Sequence, residues 1–134
     1  MSCTINLTYG ETVEAKVYRH SDDHPDGEHG VLRDLEQFFA AVEEQTQDTA
    51  FNDASYLAAK FVVWQAAKNA GTTAVGTPPV VSWPRPLAFT GVGILQQDRA
   101  DIAYRYFVDC VGHMTQSAPS PYSRRHPSVH WEQA

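Results

Sequence analysis

Residues 18–27 read YRHSDDHPDG and bring together two histidines, three aspartates, an arginine and a tyrosine within ten positions. His20, Asp22, Asp23 and His24, with Asp26, Glu28 and His29 nearby, are the nitrogen and oxygen donors that divalent metals take. A metal-dependent phosphodiester hydrolase is the enzyme such a cluster would serve. The spacing does not single it out: there is no H-E-x-x-H, and HSDDH lacks the second early histidine of an HxHxDH site. Pro25 and Gly27 also break any helix that would pair ligands four residues apart, so the cofactor expectation is none. Without metal, Asp22 can accept the ring N–H of His20 and fix its tautomer, while Arg19 can pair with a carboxylate or an anionic ligand. The same residues have a simpler use, because aspartate beside proline and glycine closes turns, and Asp26 and Glu28 suit the positive end of a following helix.

Other reactive chemistry is poorly represented. Ser21 beside His20 has no G-x-S-x-G around it, and no phosphate-cradling glycine motif occurs, Gly91 and Gly93 reading as a strand irregularity. Cys3 and Cys110 fall in predicted strands and read as reduced core thiols, in keeping with a cytoplasmic chain. A net charge of −6 over 134 residues argues against general nucleic-acid binding, and no apolar run reaches the length of a membrane span.

The loop follows a strand pair. Residues 3–8 and 13–19 alternate in polarity about a turn at 9–11, which predicts a β-hairpin. Val31, Leu35, Phe38, Phe39 and Val42 then recur at helical spacing, with Arg33, Asp34, Glu36, Glu43 and Glu44 assigned to the opposite face. A second helix is expected from an Asn52 or Asp53 cap to about Ala70. It is apolar nearly all round, which predicts that it is largely buried. Residues 71–86 are rich in glycine and proline and read as a long loop, whose Val80, Val81 and Trp83 suit contact with a neighbouring surface. Strands are expected over 87–95 and 102–110, joined by a turn at 96–101. Tyr104 and Tyr106 share one face of the last strand, Arg105 and Phe107 the other. Trp131 and the Arg124–Arg125 pair lie in a Pro- and Ser-rich stretch with the composition of a poorly ordered extension.

The predicted organisation is one α+β domain over residues 1–112, with an extension over 113–134. The order β-β-α-α-β-β is satisfied by a four-stranded antiparallel sheet with two helices on one face. The other face is left open for a ligand or partner.

The motif resembles the Y-R-H-W-D-G-Y-P-E-G signature of a family of small bacteriophage and prophage proteins. Tyr18, Arg19, His20, Asp22, Pro25 and Gly27 match it, whereas Asp23 stands at a glycine position and His24 at a tyrosine position. The likeness covers residues 3–39, with weaker matches in NDASYLAAKFV, TGVGI and YRYFVD, and it brings no activity with it. The first expectation is a cytoplasmic, homo-oligomeric binding protein of phage or prophage type, leaning away from an enzyme, that sequesters a small anionic, nucleotide-derived signal to blunt host defence. Genomic company and the Arg-plus-aromatic composition suggest that ligand. Arg19, His20, Asp22, Asn52 and Arg105 would form the ligand site. The alternatives are the metal hydrolase and an interaction module that blocks a host protein.

Overall fold

The computed structural model describes residues 2–20, 22–46, 51–70, 90–110 and 126–134. The loop at 71–86 with Val80, Val81 and Trp83, the expected domain boundary at 112, and Arg124–Arg125 lie outside the described residues.

The hairpin forms as expected from β1 (Ser2–Tyr9) and β2 (Thr12–Arg19), with Cys3 opposite Arg19 and Ile5 opposite Val17. Helices α1 (Val31–Gln45) and α2 (Ala54–Ala70) follow, then β3 (Val92–Leu95), β4 (Ile102–Asp109) and β5 (Ser128–Gln133). Asp53 caps α2, its carboxylate accepting the Tyr56 N–H at 3.2 Å. At the α2–β3 junction Asn69 donates to the Thr90 carbonyl, and a Cβ on Gly91 would stand 1.8 Å from the Asn69 amide. Its φ of 81° favours glycine as well.

The α+β class holds, but the sheet differs from a four-stranded antiparallel one. It has five strands in the order β3-β2-β1-β4-β5, and β1 and β4 are parallel. The stretch expected to be poorly ordered supplies β5, which pairs antiparallel with β4 from Asp109–Ser128 to Tyr104–Gln133. Residues 96–101 are no hairpin turn either. They leave β3 at one edge, cross β2 and β1 on the face away from the helices, and enter β4.

Side chains anchor that crossing. Asp98 accepts from Lys16 of β2 and, at 2.6 Å, from Arg105 of β4, so the three span the central strand. Thr4 and Asn6 on that face of β1 are accordingly buried, although their polarity reads as solvent-facing. On the opposite face Cys3, Ile5, Leu7, Tyr106 and Val108 meet Leu35, Phe38, Leu57 and Phe61 in one core. Phe38 and Phe61 pack edge to face at 5.2 Å.

One ion pair lies inside this core boundary. Arg19, at the end of β2, and Asp34, in the first turn of α1, are 5% and 2% exposed and meet at 2.7 Å. Arg19 also donates to the His29 carbonyl at 3.3 Å and approaches Gln65 of α2, while Lys68 reaches the other Asp34 oxygen at 2.6 Å. Removing one member of such a pair strands a charge in the interior, at a cost of roughly 3–5 kcal/mol. Asp34→Ala is therefore expected to destabilise the fold by about that amount, and Lys68→Ala, whose amine is partly exposed, by about 1 kcal/mol or less. Urea unfolding of both variants checks the contrast.

Candidate functional site

The loop after β2 is fastened by backbone hydrogen bonds. Val31 N–H donates to the His24 carbonyl at 2.9 Å and Leu32 N–H to the Pro25 carbonyl at 3.3 Å, locking the loop to the start of α1. Gly30 allows this closure, since a Cβ there would lie 2.6 Å from the Asp26 backbone. Asp22 takes a left-handed φ of 53°, which aspartate tolerates better than most residues.

The expected ligand set does not assemble. Arg19 is consumed by Asp34 on the helix side of the sheet, and Asp22 is exposed. Arg105 lies on the far face, held by Asp98 and, at 3.7 Å, Glu132. Asn52 lines a shallow depression with Tyr9 and Glu14, at the hairpin-turn end of the sheet. It sits most of a strand length from His20, on the order of 20 Å. The geometric reason is the period of the strand: Arg19 pairs with Cys3 and Arg105 with Thr4, which are on opposite faces.

The expected metal ligands also diverge. His24 packs on Tyr104, with Nε2 3.4 Å from the phenol oxygen, and Asp23 turns its backbone carbonyl to the Tyr106 hydroxyl at 2.6 Å. Burial pushes that hydroxyl well above its ordinary pKa, so it stays a donor. Among the described residues no three His, Cys, Asp or Glu side chains converge to hold a metal ion.

His20 belongs to a different cluster, whose members lie far apart in the chain at Ser2, Tyr18 and Asp101. Ser2 Oγ donates to Asp101 Oδ2 at 2.7 Å and Tyr18 OH to the same oxygen at 2.9 Å. Each hydroxyl has a single proton, so both oxygens are left as acceptors for His20 Nδ1, 3.3 Å from each. The Arg99 guanidinium covers the Tyr18 ring at 4.5 Å. Serine, histidine and aspartate are the residue types of a hydrolase triad, but the order is wrong. The carboxylate takes the serine proton directly, and Ser2 is fully buried. Cys3 and Cys110 are free, buried thiols that burial pushes up to about 12, which leaves them without thiolate character.

The open surface lies between the helices. The all-round apolar sequence of α2 predicts a largely buried helix, yet Tyr56 and Val63 are 69% and 67% exposed. The helix carries two apolar stripes: Leu57, Ala58 and Phe61 face the core, while Tyr56, Ala59, Val63 and Ala67 face outward beside α1. With Phe38 and Ala41 these outward residues line a groove of about 380 Å³ that is almost wholly apolar. Spacing of three and four residues on the outer side of α2 was the signal for it.

Comparison with family models, curated proteins and solved structures gives no match to this chain.

The carboxylates of the crossing set an acid limit. Hydrogen bonds from Ser2 and Tyr18 hold Asp101 below the ordinary carboxylate range. Burial pushes Asp98 up, but hydrogen bonds and charge from Arg105 and Lys16 outweigh it and hold it low as well. A folded pKa below the unfolded one adds stability that is complete above about pH 4 and lost as pH falls through the depressed values. The urea midpoint is expected to drop more steeply below about pH 4 in the wild type than in an Asp98→Asn/Asp101→Asn variant. Parallel curves would contradict this.

Proposed function

We propose that the chain is a non-catalytic binding protein that engages a protein partner through the groove between α1 and α2. The observation that carries this reading is the second apolar stripe of α2, with Tyr56 and Val63 open beside a concave apolar surface. Single exposed apolar residues are ordinary, whereas a contiguous stripe over a groove marks contact with another molecule. The fitting partner is an amphipathic helix. The alanines at 41, 59 and 67 let a third backbone approach closely, and from Tyr56 to Ala67 the groove runs about 16 Å, roughly three helical turns. The phage-type resemblance makes a host protein the expected class of partner.

Sequestration of a small anion has less support, since Arg19 and Arg105 are both paired with carboxylates. The metal hydrolase has less again, given the divergence of His20 and His24.

Panning a library of displayed helical peptides against the protein tests the reading. Enriched peptides are expected to repeat apolar residues at three and four positions and to bind Val63→Glu at least about tenfold more weakly, by about 1.4 kcal/mol or more. Thermal stability of that exposed-site variant should be nearly unchanged. Peptides that bind wild type and Val63→Glu equally would overturn the proposal.

A further inference from the structure

β5 ends the sheet, with β4 on one side and no strand on its other side among the described residues. Ala134 N–H donates to the Ala103 carbonyl at 2.9 Å, and Ala103 and Ala134 face each other in the β4–β5 register. In an antiparallel ladder directly opposed residues alternate between hydrogen-bonded and non-hydrogen-bonded pairs. The backbone groups of Ser128, His130 and Glu132 therefore point to β4, and those of Val129, Trp131 and Gln133 point out from the edge. Unlike the short edge β3 (Val92–Leu95), β5 carries no glycine, and Trp131 remains 42% exposed beside Tyr104. An edge of this kind is a template for another strand.

We propose that β5 docks a second copy of the chain, by antiparallel β5 to β5 pairing centred on Trp131, into one sheet that continues through both copies. The outward backbone groups allow three two-fold registers near the middle of the strand. Centring on His130 sets histidine against histidine, and centring on Glu132 sets two carboxylates against each other. Centring on Trp131 instead exchanges backbone hydrogen bonds between the two Trp131 residues and between Val129 and Gln133 of opposite copies. It places His130 against Glu132 twice, in the non-hydrogen-bonded pairs where side chains come closest. The two indoles then cover each other on the helix side, where Tyr104 already packs. The imidazole–carboxylate match of His130 with Glu132 favours this register, and so does the number of hydrogen-bonded pairs within Ser128–Gln133, three against two in either alternative. This surface is separate from the groove, and the dimer stands or falls independently of the docking of a helix there.

Sedimentation velocity of the full chain from about 1 to about 200 µM is expected to give a monomer–dimer equilibrium. His130→Glu sets carboxylates against each other twice and should raise the dissociation constant at least about tenfold. Adding Glu132→Lys to that variant restores opposite charges and should restore the dimer, which a misfolded variant would not do. Amide exchange at Val129, Trp131 and Gln133 should slow as the dimer forms. A wild type monomeric throughout, a dimer indifferent to His130→Glu, or a double variant that stays monomeric would each overturn the proposal.

Discussion

The buried contact between Arg19 and Asp34 ties together elements that otherwise pack through a largely apolar core. Arg19 closes β2, Asp34 opens α1, the His29 carbonyl belongs to the connecting loop, and Gln65 and Lys68 come from α2. A guanidinium taken out of water must find acceptors or the fold cannot form around it. Its acceptors lie on three separate segments, so satisfying it fixes how the helices sit on the sheet. Such a pair adds little net stability over an apolar substitute of the same shape, but it penalises arrangements in which either charge is left alone. The residue with the most obvious capacity to bind an anion is thereby committed to architecture.

A second set of charges works on the opposite face. The crossing at 96–101 puts Asp98 between Lys16 and Arg105, and Asp101 onto Ser2 and Tyr18. These contacts hold β3 and β4 on either side of the hairpin and bury the polar side of β1. The open sheet face expected for a ligand is thus closed over its central strand, while the outer side of the helices is left apolar and concave. The concave apolar surface lies opposite the sheet face that the strand alternation suggested for a ligand.

The local pattern was legible in the residues. Alternation located β1, β2 and β4, the 3.6-residue period located α1, and Asp53 marked the start of α2. Non-local features were not, and each has a physical reason. A polar six-residue segment between two alternating strands looks like a hairpin turn, and only tertiary pairing of Asp98 with Lys16 and Arg105 makes it a crossing. Ser128–Gln133 alternates only briefly, Val129 and Trp131 against Ser128, His130 and Glu132, inside a Pro- and Ser-rich stretch, and the ladder to β4 makes it a strand. Asp34 could have been found: it lies three residues after Val31 and next to Leu35, in phase with the buried stripe. A carboxylate there calls for a buried cation, and Arg19 ends the preceding strand. The candidate site failed for the converse reason, since residue type marked Arg19 and Arg105 as ligands while strand parity placed them on opposite faces.

If the segment at 22–30 is a clamp rather than a ligand site, the amides that lock it to α1 must be as hard to open as the core they fasten. Native-state hydrogen exchange at Gly30, Val31 and Leu32, which donate to Gly27, His24 and Pro25, measures this directly. The clamp requires that they exchange only with global unfolding, at the same free energy as the amides of Ile5 and Leu7 in the central strand. Exchange by local opening, orders of magnitude faster than those core amides, would contradict it and return the loop to the status of a mobile binding segment.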